Sequence, residues 1–329
     1  MAATIYDVAT RAGVSISTVS LALNSPSRVK PATLQRILAA ADELRFVPKA
    51  EAVVRARRGV RRIGVMAPFT SYLSFAQRLN GVMHALRAES WEIVVYDQES
   101  AANSIPSLAS IPLTNTLDGL LVMSLPIDDE SADRILRQKL TTVLLEVQRP
   151  GFSSVAIDNA EGGRLAAELF LRRGHTRFAY LAEAARVPNR VLGVGSRLDA
   201  YRDTLAAAGH ALPDEHVVYV PHGIDAAKQA THALLDLADP PTAVFAYDDL
   251  LASGVLKAAR ERGLRVPAEL SVIGFDDGDI AEHLGLTTIR QPLEESGEIA
   301  AQTLVARLTG RQRSLQHVTL KITLIERET

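Results

Sequence analysis

T-I-Y-D-V-A-T-R-A-G-V-S-I-S-T-V-S-L-A-L-N, residues Thr4–Asn24, holds two short helices and the turn between them. Ile5, Val8, Ala9 and Ala12 fall at i, i+3, i+4 and i+7, one face of a helix that Gly13 ends. Ser15, whose hydroxyl can cap backbone N–H groups, opens a second helix with Val19, Ala22 and Leu23 as its apolar stripe. Two helices around a tight glycine turn form a helix-turn-helix, whose second helix is built to enter a DNA major groove.

On that second helix Ile16, Ser17, Ser20 and Leu21 are left outside the stripe and are the residues expected to face base edges. Ile16 and Leu21 suit thymine methyl groups, or alternatively pack on a neighbouring helix; Ser17 can bond a base or a phosphate. Thr4, Thr18 and Asn24, near helix ends, suit phosphate contacts that fix register, and Ser15 stands beside them. A third helix is expected at Pro31–Leu44, with Leu34, Ile37, Leu38, Ala41 and Leu44 as its stripe. Three helices in under fifty residues make a thin core, only marginally stable alone.

Charge separates this head from the rest of the chain. Residues 1–62 hold 11 Lys or Arg against 4 acids, net +7, so a chain of net charge −2 carries −9 elsewhere. A basic head on an acidic body implies a polyanion partner for the head, or a solvated basic tail. The segment Lys49–Arg62 (K-A-E-A-V-V-R-A-R-R-G-V-R-R) is a linker by position, yet apolar enough to form a short helix once supported.

From Arg62 onward, short apolar runs alternate with helix-length segments. Expected strands are Ile63–Ala67, Ile93–Tyr96, Gly119–Met123, Thr142–Leu145, Phe178–Leu181, Val217–Val220, Ala243–Ala246 and Ser271–Gly274. Expected helices are Phe75–Arg87, Glu161–Arg173, Leu198–Ala208, Ala226–Leu237 and Leu250–Arg262. Such β-α alternation over 329 residues predicts parallel sheets in two doubly wound α/β lobes behind the small all-α helix-turn-helix head.

Ligands of such sheets sit beyond the carboxyl ends of the strands, and with two lobes in the cleft between them. That rule selects Tyr72 and Phe75 in the loop after the first strand, Glu146, Asp158-Asn159, Arg197, Tyr247, Asp248 and Asp276. Carboxylates, amides, one arginine and aromatic faces suit a polyhydroxylated ligand. Asp248 or Asp249 could instead cap the following helix, and Phe75 could belong to the core.

Several motifs in register carry a resemblance over essentially the whole chain: T-I-Y-D-V-A…A-G-V-S…T-V-S…L-N, I-D-N at 157–159, R-L-D-A-Y at 197–201, A-Y-D-D at 246–249, V-P-A-E-L-S-V-I-G-F-D-D at 266–277 and T-T-I-R-Q-P at 287–292. The sequence resembles LacI/GalR-family transcriptional regulators. The resemblance implies a homodimeric repressor on pseudo-palindromic operator DNA, with a periplasmic-binding-protein-like body holding a small effector. It implies domains at 1–47 (head), 48–61 (hinge) and 62–329 (body). The lobes are expected over about 62–159 with 291–315, and about 160–290 with 316–329.

It also assigns effector contacts to Phe75, Arg197 and Asp276, with Asp248 where relatives usually carry Asn and Glu146 where they often carry Asp. Departures are specific. Tyr72-Leu73-Ser74-Phe75 replaces the family's N-P-F-F, so the pocket wall differs. Arg55 replaces the hinge leucine that wedges between base pairs, and Val53 replaces the usual arginine, with Val54 beside them. Arg55 is therefore expected in a narrow, A·T-rich minor groove, and Leu21, where relatives often carry arginine, is expected over thymine.

Other classes fare worse. The chain has no cysteine for thiol chemistry, scattered histidines, no metal-ligand spacing, and a Gly193-Val194-Gly195 that lacks the rest of a dinucleotide fingerprint. No enzyme, cofactor or metal is expected. Asp276-Asp277, on an extended chain, would point opposite ways and not share a proton. With no signal-peptide core and no long apolar run, neither export nor membrane insertion is expected, and the cytoplasm is the default. A sugar-binding transport component and a nucleoside- or purine-responsive regulator remain as alternatives.

Overall fold

Thr4 is the N-cap of α1 (Ile5–Ala12): its hydroxyl accepts from the Asp7 N–H at 3.4 Å, and its own N–H donates to Asp7 Oδ2 at 2.7 Å. This capping box satisfies two donors that the first helical turn would otherwise leave unpaired. These details come from a computed structural model, which describes residues 3–46, 61–69, 72–87, 90–98, 101–184 and 194–329. Gly13, at φ 65°, closes α1 in the left-handed conformation, and Ser15 starts α2 (Ile16–Asn24) by accepting from the Thr18 N–H at 3.2 Å. With α3 (Pro31–Glu43), these helices close over Val8, Val19 and Ile37, all fully buried.

The thinness of that core has a visible consequence. Ala109 and Leu113, on α5 (Ala101–Thr114) of the body, belong to the same buried cluster as the head residues, and the head lies in one compact unit with the first lobe.

The first sheet runs in the order β11-β5-β4-β3-β1-β2. Its strands are β1 (Arg61–Ala67), β2 (Trp91–Asp97), β3 (Gly119–Met123), β4 (Thr141–Leu145), β5 (Ser153–Ile157) and β11 (His317–Leu320). The second runs β12-β10-β9-β8-β6-β7, from β6 (Phe178–Glu183), β7 (Val217–Val220), β8 (Ala243–Ala246), β9 (Ser271–Asp276), β10 (Thr287–Arg290) and β12 (Thr323–Ile325). The central pairs are parallel, and β12 closes the second sheet antiparallel to β10. The helices that follow strands are α4 (Leu73–Leu86), α5, α6 (Asp129–Arg137), α7 (Asn159–Arg172), α8 (Val194–Ala207), α9 (Ile224–Leu235), α10 (Asp249–Glu261), α11 (Asp279–His283) and α12 (Leu293–Leu308).

All eight expected strands form, and the described residues add β5, β10, β11 and β12. Helices α5, α6, α11 and α12 join the five given bounds from the sequence, α5 despite Pro106 and Pro112. Arg61 and Arg62, expected in the linker, belong to β1: the Arg62 N–H donates to Asp118 Oδ2 at 2.7 Å and its side chain pairs with Glu92. The rest of the hinge, Val53, Val54 and Arg55 included, lies outside the described residues. The first unit comprises residues 1–156 and 294–318, the second 157–293 and 319–329.

Candidate functional site

The helix-turn-helix presents a mixed face. Ile16 is 40% exposed, Ser17, Ser20 and Asn24 are exposed, and Leu21 is half-buried. Ile16 therefore offers much of its side chain to solvent, whereas Leu21 is partly covered. The polar side chains are already engaged. Ser15 Oγ lies 2.8 Å from both Ser17 Oγ and Thr18 Oγ1, Asn24 Nδ2 donates to the Ser20 carbonyl at 2.8 Å, and Thr4 is held in its capping box. Thr4, Ser15 and Asn24 thus build the helix ends first. Any phosphate contact they make must share those groups.

In the second unit the strand ends gather the larger part of the expected effector set. Arg197, on α8 and 4% exposed, donates from Nε (3.2 Å) and one terminal nitrogen (2.7 Å) to Asn159 Oδ1, and from the other to the Tyr247 carbonyl (2.6 Å). Its guanidinium lies 3.3 Å from the centroid of the Phe275 ring and 5.3 Å from that of Tyr247. This placement depends on Gly163 of α7, because a Cβ there would come within 2.0 Å of the Arg197 carbonyl oxygen. A side chain at 163 would push α8, and Arg197 with it, away.

Asp248 is the N-cap of α10, accepting from the Leu251 N–H at 2.8 Å, so the helix-capping reading holds for it. Its other oxygen pairs with His222 Nε2 at 2.6 Å. Burial alone would lower the His222 pKa, but the hydrogen bond it donates to Asp248 and the charges of Asp248, Glu183 and Asp276 outweigh it and raise it above the ordinary value. Asp249 is 3% exposed, and burial followed by the Asp276 charge pushes its pKa well up. Thr288 Oγ1 donates to it at 2.6 Å and the Gly278 N–H at 3.0 Å. Tyr247, half-buried, is pushed up by burial.

Asp276 accepts from Gln291 Nε2, while Asp277 pairs with Arg290 (2.6 Å) and Arg327 (2.7 Å). The two carboxylates do part company as expected, but not on an extended chain: both residues have positive φ, 112° and 61°. Asp158 is the exposed N-cap of α7, accepting from the Glu161 N–H at 3.0 Å. Its carboxylate is spent on the helix terminus, whereas Asn159 holds Arg197.

In the first unit, Phe75 is 6% exposed and meets Tyr72 edge to face at 5.8 Å. Glu146 has φ 59°, an uncommon conformation for a residue with a side chain, and forms a 3.2 Å ion pair with Arg78, itself 3% exposed and 5.4 Å from the Phe75 ring centroid. Gly297 of α12 admits that part of α4, since a Cβ there would lie 1.9 Å from the Arg78 carbonyl oxygen. Arg78 and His222 were not foreseen. Arg78 sits inside an expected helix whose pattern does not show that it is buried, and His222 follows a strand at a point where only its partner Asp248 gives it meaning.

This combination, a basic helix-turn-helix ahead of two doubly wound sheets with polar strand-end clusters, defines a ligand-controlled DNA-binding protein. Residues 4–49 match the family described as "Bacterial regulatory proteins, lacI family", and residues 167–329 match the "Periplasmic binding protein-like domain". The HTH-type transcriptional repressor PurR of Erwinia tasmaniensis is 31% identical over 334 residues, covering 99% of this chain and 96% of that protein. The HTH-type transcriptional regulator CelR of Thermobifida fusca is 31% identical over 336 residues, covering 99% and 97%. Among solved structures, a transcriptional regulator CelR-cellobiose complex superposes with a TM-score of 0.72 at 30% identity, covering 99% of both chains.

The chain belongs to the lacI family of bacterial regulatory proteins. It is a DNA-binding transcriptional regulator and not an enzyme. Among the described residues no helix is long and apolar enough to cross a membrane.

Proposed function

We propose that the protein is a homodimeric repressor of a pseudo-palindromic operator, released or engaged by a carbohydrate bound at the strand ends of the second lobe. The observation that carries the ligand class is the second unit's polar set. Arg197 is held by an amide and a carbonyl among Asp248, Asp276, Glu183 and His222, which offers many acceptors beside the faces of Phe275 and Tyr247. Hydroxyl groups need such acceptors, and the same carboxylates repel phosphates. The likeness to a cellobiose complex at 30% identity supports this reading. Relatives named PurR, at 31% identity, support a purine effector as the second reading.

Two heads on a two-fold axis call for half-sites about one helical turn apart. Ile16 and Leu21 favour thymine methyls in each, and Arg55 a narrow minor groove between them. Selection of bound duplexes from a random pool, followed by gel shifts, tests the DNA half. Palindromic, A·T-centred sites are expected, and Arg55→Ala should weaken binding and lower its salt slope; an unchanged slope removes Arg55 from the groove. Thermal shift with cellobiose, ribose, hypoxanthine and guanine tests the ligand half. Stabilisation by purines alone sinks the carbohydrate reading.

A further inference from the structure

Asp42, on α3 of the head, accepts from Arg134 Nε at 3.1 Å and from Arg137 at 2.8 Å, both arginines on α6 of the first lobe; a terminal nitrogen of Arg134 completes a two-pronged pair with it. The remaining nitrogen of Arg134 donates to the Ala109 carbonyl at 3.2 Å, and the Arg134 side chain is only 2% exposed. Beside this pair, Gln138 Nε2 donates to the Phe46 carbonyl at 2.8 Å, and Ala109 and Leu113 sink into the core of the head. An arginine this buried, matched by a carboxylate 92 residues earlier in the chain, is a built contact rather than a surface ion pair.

We propose that the α5–α6 face of the first lobe is a docking site for the head of the same chain, latched by Arg134 on Asp42, and that the docked head is the one competent to bind DNA. The recognition helix α2 itself packs on α5 and Leu21 is half-buried, but Ile16, Ser17 and Ser20 stay exposed while Leu113 and Arg134 are covered. Docking therefore orients the head while leaving those three side chains accessible, and the orientational entropy that a free head would lose on the operator is lost beforehand. It also gives the lobe a route to the head besides the linker. A ligand that shifts α6 against α3 would then change the docked population, provided it binds the two arrangements unequally.

The inference rests on the operator-binding reading, so one of its two readouts uses no DNA. Hydrogen exchange on the full-length protein compares wild type with Asp42→Arg, which leaves the Arg134 side of the contact in place and opposes it with like charge. Amides of residues 107–114 and 134–138 should exchange at least about tenfold faster in the variant. Equal exchange, with the fold verified by circular dichroism, overturns the docking.

The second readout is operator affinity. Asp42→Arg adds positive charge to the head and by simple electrostatics should tighten DNA binding. The latch predicts the reverse, a loss of at least about tenfold, recovered to within about threefold in Asp42→Arg/Arg134→Asp. Unchanged or tighter binding overturns the claim that the docked head is competent. Mixed dimers of Asp42→Arg with Arg134→Asp subunits should stay weak; recovery there would assign the contact to the partner subunit and overturn the same-chain latch. If wild type binds no duplex at all, the operator reading fails while the exchange experiment still decides the docking.

Discussion

The two lobes solve the same problem, a buried arginine beside an aromatic ring at the carboxyl ends of a sheet, in different ways. In the first, Arg78 faces the carboxylate of Glu146 at 3.2 Å, with both side chains nearly covered. In the second, Arg197 is held by the neutral oxygens of Asn159 and Tyr247. Each arginine lies where a neighbouring helix offers a glycine, Gly297 or Gly163, in place of a side chain that would collide with its backbone. An ion pair cancels charge locally, whereas amide and carbonyl dipoles position a cation and leave its charge to act on what comes near. The first arrangement is a structural strut with an aromatic wall; the second is, on the function proposed above, the recognition element.

Removing one partner of the strut should have the largest effect. Arg78→Met leaves Glu146 buried without its counter-charge and should lower unfolding free energy by about 3 kcal/mol in urea titration. Arg78→Met/Glu146→Gln should recover most of the loss, because two neutral groups of similar shape replace the pair. A double variant as unstable as the single one would show that charge compensation is not what Glu146 provides.

The recognition element should behave in the opposite sense. Arg197→Lys keeps the charge but loses the planar fork, and should cost only about 1–2 kcal/mol of stability. Effector affinity, read by calorimetry with the ligand found in the thermal-shift screen, should fall more than about tenfold. Asn159→Ala should weaken affinity less, since it frees the arginine without removing it. If Arg197→Lys destabilises as strongly as Arg78→Met and binds effector normally, the contrast between the lobes collapses.

What was legible in the sequence follows the physics of burial. Strands such as β3 and β8 are covered on both faces, so G-L-L-V-M and A-V-F-A announce themselves as apolar runs. The four additional strands include S-S-V-A-I and T-T-I-R, whose serines and threonines are buried by neighbours that only the fold supplies. Arg197 and Asp248 could be placed because they stand in motifs at strand ends. Arg78 could not: nothing in L-S-F-A-Q-R-L-N says that its arginine turns inward, since the partner Glu146 is 68 residues away. The head docking escaped for the same reason, as Asp42 and Arg134 look like ordinary surface charges until α3 and α6 meet.

A smaller test separates capping from recognition at Asp158. Its carboxylate caps α7, so Asp158→Ala should cost about 1 kcal/mol of stability. Effector affinity should be unchanged if capping is its whole role. A clear loss of affinity with Asp158→Asn, which still caps, would return Asp158 to the recognition set.

The weakest effect should be a pH dependence confined to the second lobe. His222 has its pKa raised from 6.5: burial opposes the charge, but the Asp248 hydrogen bond and the surrounding acids prevail. The folded state then holds a proton that the unfolded chain releases. The stabilisation is full below about pH 6.5 and fades as pH rises through the folded value. Asp249 acts with the same sign: its pKa is raised from 3.8, so stability falls as pH climbs above that value. Unfolding measured between pH 4 and 8 should therefore show stability falling with pH through two contributions. Asp249→Asn should remove the one that begins near 3.8, and His222→Gln, which can still donate to Asp248, the one above about 6.5. Both should persist in Arg78→Met/Glu146→Gln, because the groups responsible all belong to the second lobe. A slope that survives His222→Gln but disappears with the first-lobe pair would place the proton-sensitive charge beside Phe75, and the roles assigned to the two arginines would have to be exchanged.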